Sequence, residues 1–146
     1  MYEYNPHVYD ELLREGRRIY CVAGDDNHGV KSSYGAFTMI KADSLDYESV
    51  AKALLAGNFY ASCGPKINAL WVEDGEMHIE VEDAESISFN TNGRRRFAVH
   101  RKPGEKLTHA SFKILDEDIY VRATVVDAGG KMANTNAYFT DEIFEK

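Results

Sequence analysis

The chain has 146 residues, 44% hydrophobic and 28% charged, enough for one ordinary domain with a real core and too few for two independent domains of typical size. Those proportions exclude a disordered or collagen-like chain. Seventeen Lys and Arg against 24 Asp and Glu give a formal charge of −7, which opposes a polyphosphate backbone and disfavours nucleic acid as a partner. No apolar run approaches the roughly 18 residues of a membrane span, and Met1-Tyr2-Glu3-Tyr4-Asn5-Pro6 lacks the basic and apolar regions of a signal peptide. A cytoplasmic protein without membrane contact is expected. Cys21 and Cys63 form no CxxC pattern and read as reduced, buried thiols.

Taken in chain order, Val8 to Leu13 has helical spacing and ends at Gly16, a C-terminal cap, and Arg18 to Ala23 is a short apolar run with strand character. A loop, Gly24-Asp25-Asp26-Asn27-His28-Gly29, leads to a second strand between Gly35 and Ala42. Asp46 caps a helix over Tyr47 to Ala56, with Val50, Ala51, Leu54 and Leu55 on its apolar face and Gly57 closing it. Composition shifts at Pro65. Beyond it the period becomes two, in Met77, Ile79 and Val81, then Ile87 and Phe89, Phe97 and Val99, and Phe112 and Ile114. Asn92-Gly93 reads as a type I′ hairpin turn, and Lys102-Pro103-Gly104 and Ala128-Gly129-Gly130 mark further turns. Ile119 to Val126 and Ala137 to Phe139 complete the strands. The expected fold is α+β: an N-terminal α/β segment over 1–65, then an antiparallel β-sandwich over 66–146 with its strands between Ile67 and Phe139.

The densest polar cluster is Asp25-Asp26-Asn27-His28, directly after the first apolar run. An aspartate and a histidine two apart in a turning chain can converge on one metal ion. Asp and Asn also make ordinary polar turns, with the histidine solvated. His7, His78, His100 and His109 form no HxH, HxxH or HxxxH pair; His78 and His109 read as outward-facing strand residues. Arg94-Arg95-Arg96 with Arg101 and Lys102 is the one basic concentration, beside Phe97, where an anion could sit; neighbouring Glu80, Glu82, Asp83 and Glu85 favour cross-strand pairing instead. Trp71 and the nine tyrosines could line a sugar-binding face, although aromatics on strands also pack as core.

Several motifs in order carry a family likeness: Tyr2-Glu3-Tyr4-Asn5, Tyr9 to Gly16, Val22 to His28, Ala53 to Pro65, and Tyr120-Val121-Arg122 through Asp127-Ala128-Gly129-Gly130 to Asn134-Thr135-Asn136. Together they resemble the C-terminal part of the PHP (polymerase and histidinol phosphatase) metal-dependent phosphoesterases, including a small C-terminal β-domain. The resemblance implies a distorted β/α barrel whose metals are held by an early HxH, a middle acidic residue and histidine, and a late DxH. Asp26 and His28 match the late DxH, with Asp25 as an outer or alternative ligand. The early HxH and middle ligands have no counterpart in this chain.

The resemblance thus implies a fragment of a phosphoester-hydrolysing enzyme, inactive alone, that binds a divalent metal (zinc, manganese or iron) weakly through Asp26, His28 and Asp25. Missing barrel strands imply exposed sheet edges in the first sixty residues, to be covered by a chain supplying the rest of the barrel or by a homo-oligomer. The alternatives are a non-catalytic β-sandwich binding module with a vestigial motif, and a small metal protein whose site is completed across an oligomer.

Overall fold

The computed structural model describes residues 6–93 and 95–144. Arg94 and the Tyr2-Glu3-Tyr4-Asn5 motif lie outside the described residues. Helix α1 (Pro6–Arg14) ends as expected at Gly16, whose φ of 82° permits the closing hydrogen bonds Gly16 N to Leu13 O (3.0 Å) and Arg17 N to Leu12 O (3.1 Å). Helix α2 (Tyr47–Leu55) starts at Asp46, whose carboxylate accepts from Ser49 N at 2.9 Å. Gly57, at φ 71°, closes it with the same pair of bonds.

Strands β1 (Phe37–Ile40) and β2 (Phe59–Ser62) flank α2 and pair antiparallel. They are followed by β3 (Ile67–Glu73), β4 (Glu76–Ala84), β5 (Ser86–Thr91), β6 (Arg96–His100), β7 (Leu107–Lys113), β8 (Tyr120–Val126), β9 (Met132–Thr135) and β10 (Tyr138–Phe139), and by a last turn of helix, α3 (Thr140–Ile143). The chain is thus mixed but strand-rich, and its ladders are antiparallel. One sheet has the order β1-β2-β9-β8-β5-β6, with β10 also pairing β8; the other has the order β3-β4-β7. The large sheet runs through Pro65, because β2 from before it pairs with β9 from near the C-terminus.

The two sheets face each other across one core. Met77, Ile79 and Val81 of β4 and Ala110 and Phe112 of β7 meet Ile87 and Phe89 of β5 and Val121, Ala123 and Val125 of β8. The alternation expected from the sequence is the reason: every second residue of these strands is apolar and faces inward. Phe89 and Phe112 stack at 5.4 Å between ring centroids.

Three expectations need correction. Residues 18–23 form no strand; the segment is held by side chains, with Ile19 O accepting from Tyr9 OH (3.1 Å), Cys21 N donating to Asn136 Oδ1 (3.0 Å) and Ala23 N to Thr38 Oγ1 (3.1 Å). Asn92-Gly93 is not a two-residue turn, since β5 and β6 pair only as far as Asn90↔Arg96 and Asn92 Oδ1 is taken up by Ile119 N at 2.6 Å. The two-residue hairpin is instead Asp74-Gly75, with φ of 49° and 75°, between Glu73 and Glu76. Finally, the apolar face of α2 is mostly uncovered: Ala53 is buried, but Leu55 is 83% exposed.

The link between β9 and β10 is a bulge. Two residues of β8 lie between Val121 and Thr124, while three on the partner lie between Asn134 and Tyr138. Asn136, inside it, is buried and donates to Gly57 O (2.9 Å) and Phe59 O (3.0 Å) while accepting from Cys21. One amide thus ties the 18–23 segment and the end of α2 to the large sheet. Helix α1 docks through Arg122, whose side chain is 2% exposed and forms a bidentate pair with Asp10 at 2.6 Å.

Candidate functional site

The strand registers bring three connections to one end of the large sheet: residues 24–36 before β1, 63–66 after β2, and 127–131 between β8 and β9. Each is built locally. At the β2 end, Ser62 Oγ is buried, donates to Pro65 O at 2.7 Å and accepts from Gly64 N at 3.0 Å. Gly64 lies close to the 127–131 turn, since a Cβ there would stand 2.8 Å from Lys131 Cδ and 3.1 Å from Asp127 Oδ2, and an added side chain would have to displace the Lys131 side chain. In the 127–131 turn, Asp127 Oδ1 accepts from Gly129 N and Lys131 N at 2.8 and 2.9 Å.

The 24–36 loop is organised by Asp25. Its carboxylate accepts from the backbone N–H groups of Tyr34, of Gly35 at 2.6 Å and of Ala36 at 2.7 Å. These bonds, Ala36's foremost, hold its pKa below the usual carboxylate range. They also account for Tyr34, a bulky residue at φ 65°, because the left-handed backbone turns its N–H toward Asp25. Asn27 closes the tip of the loop, accepting from Gly29 N at 2.8 Å and donating to Ser33 Oγ at 2.7 Å.

Asp26 and His28 stand together on the outside of this loop, with side chains 96% and 84% exposed and His28 Nδ1 4.0 Å from Asp26 Oδ1. Asp26 takes φ 47°, a conformation aspartate tolerates better than most residues. His28 Nδ1 donates to the Asp26 carbonyl at 2.7 Å, which in the neutral ring leaves Nε2 with the free lone pair. The structure therefore brings two of the three expected ligand residues side by side and turns the third, Asp25, onto the backbone. Among the described residues no group of three or more His, Cys, Asp or Glu side chains gathers to hold a metal ion. A carboxylate and an imidazole are donor types that divalent cations accept, but the nitrogen nearest Asp26 Oδ1 is Nδ1, already engaged by the Asp26 carbonyl.

Both cysteines are free; burial pushes the Cys21 thiol up, and burial also raises Cys63, with Lys131 opposing and Asp25 adding to the shift. The other histidines do not join Asp26 and His28. His78 and His109 do face outward, on the small sheet, where they cluster with Trp71: Trp71 and His78 stack at 5.1 Å and His78 and His109 at 5.7 Å. Period-two alternation places each of them on the outer face, but their assembly depends on the β3-β4-β7 order. Of the basic residues, Arg101 is paired with Glu85 at 2.6 Å and lies 3.8 Å from Asp83, the cross-strand pairing expected from the acidic neighbours. Arg95 pairs with Asp118 instead.

Among the described residues no helix is long and apolar enough to cross a membrane. In comparisons with protein-family models, with curated proteins and with solved structures, nothing matches this chain.

Proposed function

We propose that the chain is the closing portion of a PHP-type metal-dependent phosphoesterase, whose hydrolytic centre is complete only when a longer chain or a partner supplies the early and middle ligands. The observation that carries this reading is an open flank beside the Asp26 and His28 loop. Strand β1 is hydrogen-bonded on one side only. Of the fourteen large apolar side chains exposed among the described residues, ten lie between Tyr20 and Leu55, including Leu45 at 100% and Tyr47 at 91%. An unpaired sheet edge beside exposed apolar surface is what the loss of a covering chain leaves behind.

In this reading Asp26 Oδ and His28 Nε2 are the donors this chain contributes, and Asp25 keeps them presented by ordering the loop. A divalent metal, when bound, polarises a phosphoryl oxygen and lowers the pKa of a coordinated water. Two protein donors leave such an ion mostly hydrated, so the chain alone binds it weakly and does not turn over. The test is hydrolysis of an aryl phosphate with added manganese or zinc, using protein freed of contaminating phosphatase. No turnover is expected. Turnover abolished by His28→Ala would show that the site is complete without further ligands.

A second reading, a non-catalytic sandwich module with a vestigial motif, draws support from Asp25, whose carboxylate is engaged by the backbone, and from the ring cluster of half-buried Trp71 and His78 with exposed His109 on the outer face of the small sheet. It predicts metal binding that Asp26→Ala/His28→Ala leaves unchanged. A third reading, a metal site completed across an oligomer, predicts binding that strengthens with protein concentration.

A further inference from the structure

At the edge of the molecule formed by β6 and β7 the sandwich does not close. Each of these strands is hydrogen-bonded on one side only, β6 to β5 and β7 to β4. Between them lies a cavity of about 360 Å³ lined by Arg95, Arg96, Phe97, Ser111, Phe112 and Lys113. The apolar part of its wall is an extension of the core. Phe112 is buried and Phe97 is 46% exposed, with their ring centroids 6.5 Å apart. Phe97, on an edge strand with no next strand to cover it, leaves the outer end of the core's aromatic layer open to solvent.

The polar part of the wall is cationic in a chain of formal charge −7, and no carboxylate lines the cavity. Arg95 is a fixed element of it. Its guanidinium lies 4.6 Å over the Phe112 ring, donates to Lys113 O at 2.8 Å and pairs with the buried carboxylate of Asp118. Its charge is therefore balanced within the protein. Arg96 and Lys113 are exposed at the mouth and carry the positive charge that a ligand would meet.

We propose that this cavity binds a small amphipathic anion: a flat aromatic body of one or two rings against Phe97 at the open end of the aromatic layer, and an oxyanion held by Arg96 and Lys113. The volume falls at the low end of ligand pockets, which run from about 300 Å³ upward, so the ligand is small. A guanidinium and an ammonium on one rim select a carboxylate, sulfonate or phosphate over a neutral polar group. The rings select an aromatic body over a bare inorganic ion.

The probe that tests this is 8-anilinonaphthalene-1-sulfonate, titrated calorimetrically into the whole chain and followed by amide chemical-shift mapping. The expected result is one equivalent bound, shifts at residues 95–97 and 111–113, and affinity reduced about tenfold or more in Arg96→Glu/Lys113→Glu and in Phe97→Ser. Both mouth cations are exposed, and an otherwise unchanged amide spectrum establishes that the variants fold. A control variant in the other exposed apolar region, Tyr47→Lys/Leu55→Lys, keeps the affinity of the wild type. Shifts confined to residues 20–55, or affinity lost in that control and retained in Arg96→Glu/Lys113→Glu, would overturn the proposal. So would equal binding of uncharged anilinonaphthalene, or displacement of the probe by a short deoxythymidine oligonucleotide at lower concentration than by free naphthalenesulfonate.

Discussion

Asp25 accepts three backbone N–H groups and so acts on Asp26 and His28 through the shape of the loop. Because its folded pKa is depressed, its contribution to order is complete above the ordinary carboxylate range and is lost as pH falls through the lower folded value. The amide shifts of Gly35 and Ala36 should therefore titrate with a midpoint below that of an unperturbed aspartate. A midpoint at or above that value would show that the tie is not made. Arg122 is the second residue with a large expected effect. It is buried against Asp10, and removing either partner leaves an uncompensated charge, so Arg122→Ala or Asp10→Ala should cost about 3–5 kcal/mol by denaturant unfolding. A loss below about 1 kcal/mol would place α1 outside the cooperative unit. Neither role was visible in the sequence, since Asp10 and Arg122 are 112 residues apart and nothing local announces their pairing.

At the scale of elements, what could be read from the sequence was what local chemistry decides. Both helices carry their stop signals in glycines that take positive φ, and the inward alternation of β4, β5 and β8 follows directly from period two. Turns were legible only in part. Asp74-Gly75 and Asn92-Gly93 are equivalent signals on paper, yet only the first is flanked by paired residues, because Asn92 is drawn away to Ile119. This difference predicts unequal effects of alanine. Gly75→Ala, at φ 75°, should cost roughly 1–2 kcal/mol, whereas Gly93→Ala, with nothing within 4 Å of its added Cβ, should change stability by less than about 0.5 kcal/mol. Equal losses in thermal or denaturant unfolding would contradict the assignment of the turns. Residues 18–23 show the converse limit: a short apolar run announces an extended segment, but its hydrogen-bond partners are side chains of Tyr9, Thr38 and Asn136, which no local pattern reveals.

For the whole molecule, the decisive asymmetry is between a sandwich with a well-packed core and a flank from Tyr20 to Leu55 where apolar residues face solvent. A surface of that kind drives association, so Tyr47→Lys/Leu55→Lys should reduce self-association in sedimentation velocity without lowering thermal stability. Unchanged sedimentation of an associating wild type would place the contact elsewhere. The candidate site was legible as an incomplete DxH pair, but the turning of Asp25 onto the backbone was not, because the direction of a carboxylate depends on which backbone amides the loop presents. The measurement that bears most directly on the proposed metal site is calorimetric titration of manganese or zinc into the wild type and Asp26→Ala/His28→Ala. Weak binding that the double substitution abolishes is the predicted result. Tight, stoichiometric binding by a demonstrated monomer, or binding that the double substitution leaves unchanged, would contradict it.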